Sequence, residues 1–429
     1  MTKNVFVLGL DEQNLDVLES LPGADGYRFR PLLGWEELGQ DHEVDMPALL
    51  ALAERRLDSF EGTVDAVIGY WDFPVSSLVP LLCGPRGLRC TSLGSVVRCE
   101  HKYWSRLEQR AVIPEAVPRF GEVDLDETAK PDGLSYPLWV KPVKSFSSEL
   151  AFRVTDDAEF QEAMGEIRAG AGRIGDAFQW AMDRVSLPPE VEDAGGTAAL
   201  AEEEAVGDQL TVEGYVRDGV PHVYGIIDSP HYPGTSSFLC YEYPSRVPEE
   251  AQRRLIDLSE RVISRVGLDD TTFNIEYFHE PESGAITLVE INPRHSQSHA
   301  RMLELVNGVS NHEICLRLAL GQEPDVVRGG EYEVAAKWFV RRFGDGFVER
   351  APTAQDVARA REQAPDAWVE VVAHEGEWLS DLPIQDSYSY ELAHVIVGAR
   401  DIDECERRYR ACAGELPFTI RSAEDRARE

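Results

Sequence analysis

The residues with the most chemistry to offer lie in two short apolar runs. Phe273-Asn-Ile-Glu-Tyr-Phe278 carries Glu276, and Ala285-Ile-Thr-Leu-Val-Glu-Ile-Asn-Pro-Arg294 carries Glu290, Asn292 and Arg294. Between them, His279-Glu-Pro-Glu-Ser-Gly284 has the composition of a turn. A hairpin turning near Ser283 sets Glu276 opposite Glu290, and the two-residue period of a strand puts Asn292 and Arg294 on the same face as Glu290. Two carboxylates facing each other across a sheet repel, so the arrangement makes sense if a divalent cation lies between them. Glu, Glu and Asn supply oxygen alone, which suits Mg²⁺ or Mn²⁺ and suits zinc poorly. The same pattern is also that of a plain solvated sheet face, and on the hairpin alone that is the stronger reading.

The elements that must position these groups are legible upstream and downstream. Residues 4–10 read as a buried parallel strand, followed by Asp11 as N-cap of a helix to about residue 20. A helical stretch over 47–60 precedes a second apolar run at 65–71, so residues 1–95 are expected to form a small, doubly wound, Rossmann-like α/β domain. Gly9 stands alone without the GxGxxG spacing, which argues against a nicotinamide or flavin site there. One helix is expected over 95–110, a strand over 136–141 ending on Lys141, and a surface loop over 188–197. Further strands are expected at 209–216, 223–228, 273–278 and 285–291. Helices are expected at 248–266 and at 301–320, the latter ended by Gly321. The remainder, from about residue 330, reads as alternating strands with one amphipathic helix.

At 429 residues the chain exceeds what one hydrophobic core usually organises, and its composition of 43% hydrophobic and 28% charged residues is that of a folded chain. It carries 77 Asp plus Glu against 42 Lys plus Arg, a net charge of −35, which argues against general nucleic-acid binding. Seven scattered cysteines without a CxxC pair read as reduced core residues, and no run approaches the roughly 18 apolar residues of a membrane span. A cytoplasmic protein with no nucleic-acid or membrane partner is expected.

Glu276, Glu290, Asn292 and Arg294, in the order E…E-x-N-x-R and far downstream of Tyr136-Pro-Leu-Trp-Val-Lys141-Pro, resemble the signature of the ATP-grasp superfamily. The resemblance implies an α/β and α+β chain in three parts. These are a pre-ATP-grasp domain over 1–95, an ATP-grasp domain of two α+β subdomains clamping ATP over 96–325, and a small α+β module over 326–429 like that of the biotin-carboxylase-related branch. It further implies that Glu276, Glu290 and Asn292 hold Mg²⁺ between the ATP phosphates, and that Lys102 and Lys141 face those phosphates. The family's glycine-rich lid reads here Pro142-Val-Lys-Ser-Phe-Ser-Ser-Glu149 without glycine, so Lys144, Ser145, Ser147 and Ser148 would supply its donors. Residues 200–213 resemble the adenine hinge, with Glu202 taking the exocyclic amine and Glu203 to Ala205 giving backbone bonds. Gln209 stands where the family has a ribose-binding acid.

The implied activity is an ATP-dependent carboxylate–amine ligase that forms an amide or peptide bond through an acyl phosphate, releasing ADP and phosphate. Small carboxylate and amine substrates, amino acids foremost, are the expected partners, with a possible homodimer. Arg294 suits the acyl phosphate or a substrate carboxylate. His295 and His299 are candidates to relay a proton, and His231 and Glu242 to touch the acceptor. Biotin carboxylase is the first alternative, but its catalytic glutamate falls on Ser298, which cannot take that proton. The second alternative is a nucleotide-binding regulatory protein with a degenerate site, motivated by the lid and by Gln209.

Overall fold

The computed structural model describes residues 2–39, 44–145, 149–382 and 389–422. The chain divides into two compact units: residues 1–224, 247–297 and 311–325 form the first, and 225–246, 298–310 and 326–429 the second.

In the first unit, β1 (Lys3–Val7), β2 (Tyr27–Pro31) and β3 (Ala66–Ile68) make a parallel sheet in the order β2-β1-β3. Asp11 caps the helix Glu12–Glu19 by accepting from the Asn14 amide at 2.7 Å, as its place after the first strand predicts. A longer helix, Met46–Asp58, starts on Asp45 with a proline in its first turn. The single helix expected over 95–110 is two, Leu93–Glu100 and Lys102–Val112, meeting at His101. The His101 imidazole accepts from the Trp104 amide and so caps the second helix, a break that no Gly or Pro announces.

A second sheet of the same unit has the order β4-β7-β5-β6, from β4 (Phe120–Val123), β5 (Leu138–Pro142), β6 (Phe152–Val154) and β7 (Ala199–Glu203). Leu138 and Val140 of β5 and Ala199 and Ala201 of β7 pack into one core with the helix Asp157–Gly170. Alternation therefore turns Lys141 and Glu202 to the opposite face. The expected loop at 188–197 contains a short helix, Pro189–Ala194.

β8 (Asp208–Arg217) turns through Asp218 and Gly219, both with positive φ, into β9 (Val220–Asp228), whose second half belongs to the second unit. β10 (Cys240–Tyr243) also belongs there. β11 (Thr271–His279) and β12 (Ile286–Asn292) return to the first unit, where β11 lies between β8 and β12. Phe273, Ile275 and Tyr277 are fully buried on one face of β11, and Tyr277 reaches Ser259 of the helix Glu249–Val266. The helix expected over 301–320 is again two, Ala300–Asn307 and Asn311–Ala319, separated at Gly308 with its φ of +71°.

The second unit is built on β13 (Val334–Arg342), flanked by β10 and β16 (Tyr390–Ala399), with β15 (Trp368–Val371) beyond β16. β14 (Gly346–Arg350) and β17 (Thr419–Ser422) pair separately. Two helices, Ala354–Gln363 and Ile402–Ala413, stand where one was expected, and they cover the sheet face bearing Trp338, Val395 and Val397. Among the described residues no helix is long and apolar enough to cross a membrane.

Candidate active site

Glu276 pairs with Glu290 across β11 and β12, as the hairpin reading requires, and Asn274 pairs with Asn292 one step along the same face. The route to that register is less simple than expected. From His279 to Tyr277 the strands pair one residue closer to the turn, and an irregularity at Val289 then brings Glu290 opposite Glu276. On β8 the same face carries Gln209, Thr211 and Glu213, with Thr211 beside Glu276 and Glu213 beside Asn274. An amide chain runs across it: Asn292 Nδ2 donates to Asn274 Oδ1 at 3.2 Å, and Asn274 Nδ2 to Glu213 Oε1 at 2.9 Å. With its nitrogen so committed, Asn292 keeps its carbonyl oxygen as an acceptor beside two carboxylates. That donor set fits a hard divalent cation.

The electrostatics of the pair agree with that fit. Burial, and then the facing Glu290 carboxylate, push the Glu276 pKa up to about 7. Glu290 is held below its ordinary value although burial opposes it, because Lys102 and Lys141 lie close. Gln209 donates to Glu276 Oε2 at 2.9 Å, so its amide is spent on a carboxylate of the pair.

Two cations reach this face from other elements. Lys102 Nζ sits 3.0 Å from Glu290 Oε1 and 2.7 Å from the Ser145 carbonyl, which ties the helix Lys102–Val112 to the start of the predicted lid. Lys141 Nζ lies 2.5 Å from Glu202 Oε1, a diagonal neighbour across β5 and β7. The other Glu202 oxygen accepts from Arg106 Nε at 2.8 Å, while Arg106 Nη2 holds the Val289 carbonyl at 2.8 Å. Arg106 and Lys141 together outweigh burial and keep the Glu202 pKa down, at about 2. Lys102, Arg106, Lys141, Val289 and Glu290 line one small hollow.

Lys144 lies deeper than a lid donor would. Its ammonium is 3.0 Å from Glu100 Oε2 and rests over the rings of Phe73 and Phe178 at 5.5 and 5.2 Å. Ser145 is buried, and Ser147 and Ser148 lie outside the described residues. In the predicted hinge, Glu202 has both oxygens taken by cations, and the Glu203 amide donates to the Arg119 carbonyl at 2.9 Å. Ala205 lies in the link from 204 to 207 between β7 and β8.

Arg294 closes a bidentate pair with Asp72, Nε to Oδ1 at 2.9 Å and Nη2 to Oδ2 at 2.7 Å. Burial alone would raise the Asp72 pKa, but Arg294, Lys144 and Lys102 hold it low. The pair fixes the guanidinium plane and leaves its remaining N–H groups for a ligand.

His295 is a correction. Its ring is fully buried, with Nδ1 on Thr272 Oγ1 at 2.9 Å and Nε2 on His312 Nδ1 at 2.7 Å, so neither nitrogen is available to a substrate. His299, His231 and Glu242 belong to the second unit. There His299 packs on the Tyr241 ring, His231 stacks on Phe238, and Glu242 pairs with Arg246 at 2.5 Å.

Arg106, Asp72 and Glu100 escaped the sequence reading. Arg106 lies four residues after Lys102 and shares its helix face, a spacing that would have flagged it. Asp72 follows the C-terminal end of β3, where open parallel sheets place ligand groups.

Residues 134–300 match the family model described as the ATP-grasp domain. This chain carries an ATP-grasp domain. Its fold is that of the L-amino acid ligase from Bacillus licheniformis, with a TM-score of 0.74 and 18% identity over 98% of this chain and 99% of that one. The biotin carboxylase domain of 2-oxoglutarate carboxylase from Hydrogenobacter thermophilus, described in complex with MgADP and bicarbonate, superposes at a TM-score of 0.68. It shares 14% identity, over 98% of this chain and 92% of that one. At such identities the likeness is one of fold, and it extends beyond the ATP-grasp domain to the whole chain. In sequence, the carbamoyl phosphate synthase large chain of Arthrobacter sp. (strain FB24) is 36% identical over 75 residues, 18% of this chain. That stretch spans only 7% of the length of that relative.

Proposed function

We propose that the chain is an ATP-dependent carboxylate–amine ligase that joins two small substrates, amino acids foremost, through an acyl phosphate, with ADP and phosphate as products. The observation that carries this reading is the facing pair Glu276 and Glu290, with the Asn292 carbonyl on the same face and Lys102 and Lys141 within reach. The whole-chain likeness in fold to an L-amino acid ligase supports the amine class of acceptor.

Glu276, Glu290 and Asn292 would hold Mg²⁺, which when bound neutralises phosphate charge. Lys102 and Lys141, released from Glu290 and Glu202 by a polyanion, hold the transferred phosphoryl group and the charge that develops on it. Gln209 keeps Glu276 oriented. Asp72 orients Arg294, whose free N–H groups bind oxygens of the acid or of its acyl phosphate. Backbone contacts to adenine fall to the link at Ala205, since Glu202 is committed to cations. Ser298 offers no carboxylate base, which disfavours carboxylation of biotin.

Purified protein is incubated with Mg-ATP and pooled amino acids, and phosphate release and condensation products are followed together by colorimetry and mass spectrometry. A new mass equal to two substrates less water, with ADP, is expected, and Glu290→Ala should lower the rate by more than about 100-fold. AMP and pyrophosphate as products, or full activity of Glu290→Ala, would sink the proposal.

A further inference from the structure

The second unit holds a buried cation that nothing above employs. Lys337, in the middle of β13, is 3% exposed, and its ammonium donates to Ser298 Oγ at 3.1 Å. It makes no ion pair among the described residues. The two nearby acids are engaged elsewhere. Glu370 Oε2 lies 2.7 Å from His394 Nδ1, and Glu391 binds His394 Nε2 at 2.6 Å and Arg341 Nη2 at 2.6 Å. Ser298 accepts from Lys337, and its own hydroxyl proton has no acceptor among the described residues. Two donors thus converge with no acceptor facing them. An unpaired buried ammonium is costly, and a carboxylate placed on it removes most of that cost. Burial draws the Lys337 pKa down, and the charges of Glu370 and Glu391, which act to raise it, do not offset that.

The walls of this place are aromatic. Tyr241 stands opposite Lys337 in the ladder of β10 and β13 and meets His299 at 4.9 Å, Phe339 at 5.0 Å and Phe238 at 5.1 Å. Lys337 Nζ itself lies 5.1 Å from the centre of the Phe339 ring. Tyr241 and Ser298 are partly exposed, while Phe339 and Lys337 are buried. Apolar rings around a pair of anion donors select an acid with an apolar body.

We infer that Lys337 and Ser298 bind the carboxylate of an apolar amino acid, the amine-bearing substrate, with Tyr241 packing on its side chain. This inference rests on the ligase reading for the substrate's role, but not for its binding. Tyr241 then does the work that the sequence assigned to Glu242, whose carboxylate is held by Arg246.

The test is binding of L-alanine, L-leucine, L-methionine and L-phenylalanine, each against its own amide, to the full chain by ligand-observed NMR and equilibrium dialysis. At least one acid is expected to bind about 10- to 100-fold more tightly than its amide, and Lys337→Met to erase that difference while binding of the amide stays unchanged. Ser298→Asp, at a partly exposed position, supplies an internal carboxylate, and is expected to abolish binding of the acid and raise the melting temperature. It keeps the test decisive should Lys337→Met fail to fold. No preference for any acid over its amide, or an unaltered preference in either variant, overturns the assignment. Failure of phosphate release would sink the ligase reading and leave this binding result standing, whereas loss of the carboxylate preference alone would leave the ligase reading intact.

Discussion

At the scale of single residues, the site is a set of charges that hold one another in place. Lys141 is fastened by Glu202, and Glu202 in turn by Arg106, which also reaches the Val289 carbonyl on β12. Arg106 is 3% exposed and Glu202 6%, so removing the guanidinium leaves a buried carboxylate with one cation and takes the side-chain donor from the Val289 carbonyl. Breaking such a pair from one side costs about 3–5 kcal/mol. Arg106→Met should therefore lower the free energy of urea unfolding by roughly that amount. The double variant Arg106→Met, Glu202→Gln should recover part of the loss, because the stranded charge is gone with its partner. Additive losses in the cycle would mean that the two side chains act independently, contrary to their geometry.

At the scale of elements, the junction at His101 sets where Lys102 begins. The ring accepts the Trp104 amide on Nδ1 at 3.2 Å and faces the Gly195 carbonyl with Nε2 at 3.0 Å, so the cap needs a neutral imidazole protonated on Nε2. Burial, the largest influence, lowers its pKa from 6.5 to about 4. The unfolded chain therefore takes up the proton first as pH falls. The contribution is fully present above about pH 6.5 and is lost towards pH 4, a change of about 3 kcal/mol. His101→Asn keeps an acceptor at the cap and has nothing to titrate there. Its urea midpoint should fall less than the wild type's between pH 7 and pH 4.5, and equal falls would remove His101 as the cause. That junction also marks the limit of what the sequence discloses. The pairing of Glu276 with Glu290 was legible because alternation and turn composition are local signals. So were Lys141 at its strand end and the Asp11 cap. The break at Gly308 is likewise local, a glycine cap that the sequence did carry. The break at His101 and the irregularity at Val289 were not legible, because each involves a side chain or carbonyl brought in from elsewhere in the fold. His295 misled for the same reason, since its two partners, Thr272 and His312, are far from it in the chain.

At the scale of the whole molecule, the small positive cluster around Lys102, Arg106, Lys141 and Lys144 sits in a chain of net charge −35. Acidic side chains that face water repel one another over distances set by the Debye length, about 30 Å at 0.01 M salt and about 3 Å at 1 M. The buried pairs, Arg106 with Glu202 and Lys144 with Glu100, are sheltered from that screening. Exposed ion pairs such as Arg253 with Glu249 and Arg410 with Glu406 are each worth little. Added salt therefore weakens repulsion more than it weakens attraction, and the native state should gain. The urea midpoint is expected to rise steadily as NaCl increases from 20 mM to about 0.5 M, with an unchanged m-value, because the surface exposed on unfolding stays the same. A midpoint that is flat or falls would mean that the 42 basic residues already balance the acidic surface locally. The balance would then lie in networks of exposed pairs, and those pairs would have to be worth more together than each is alone.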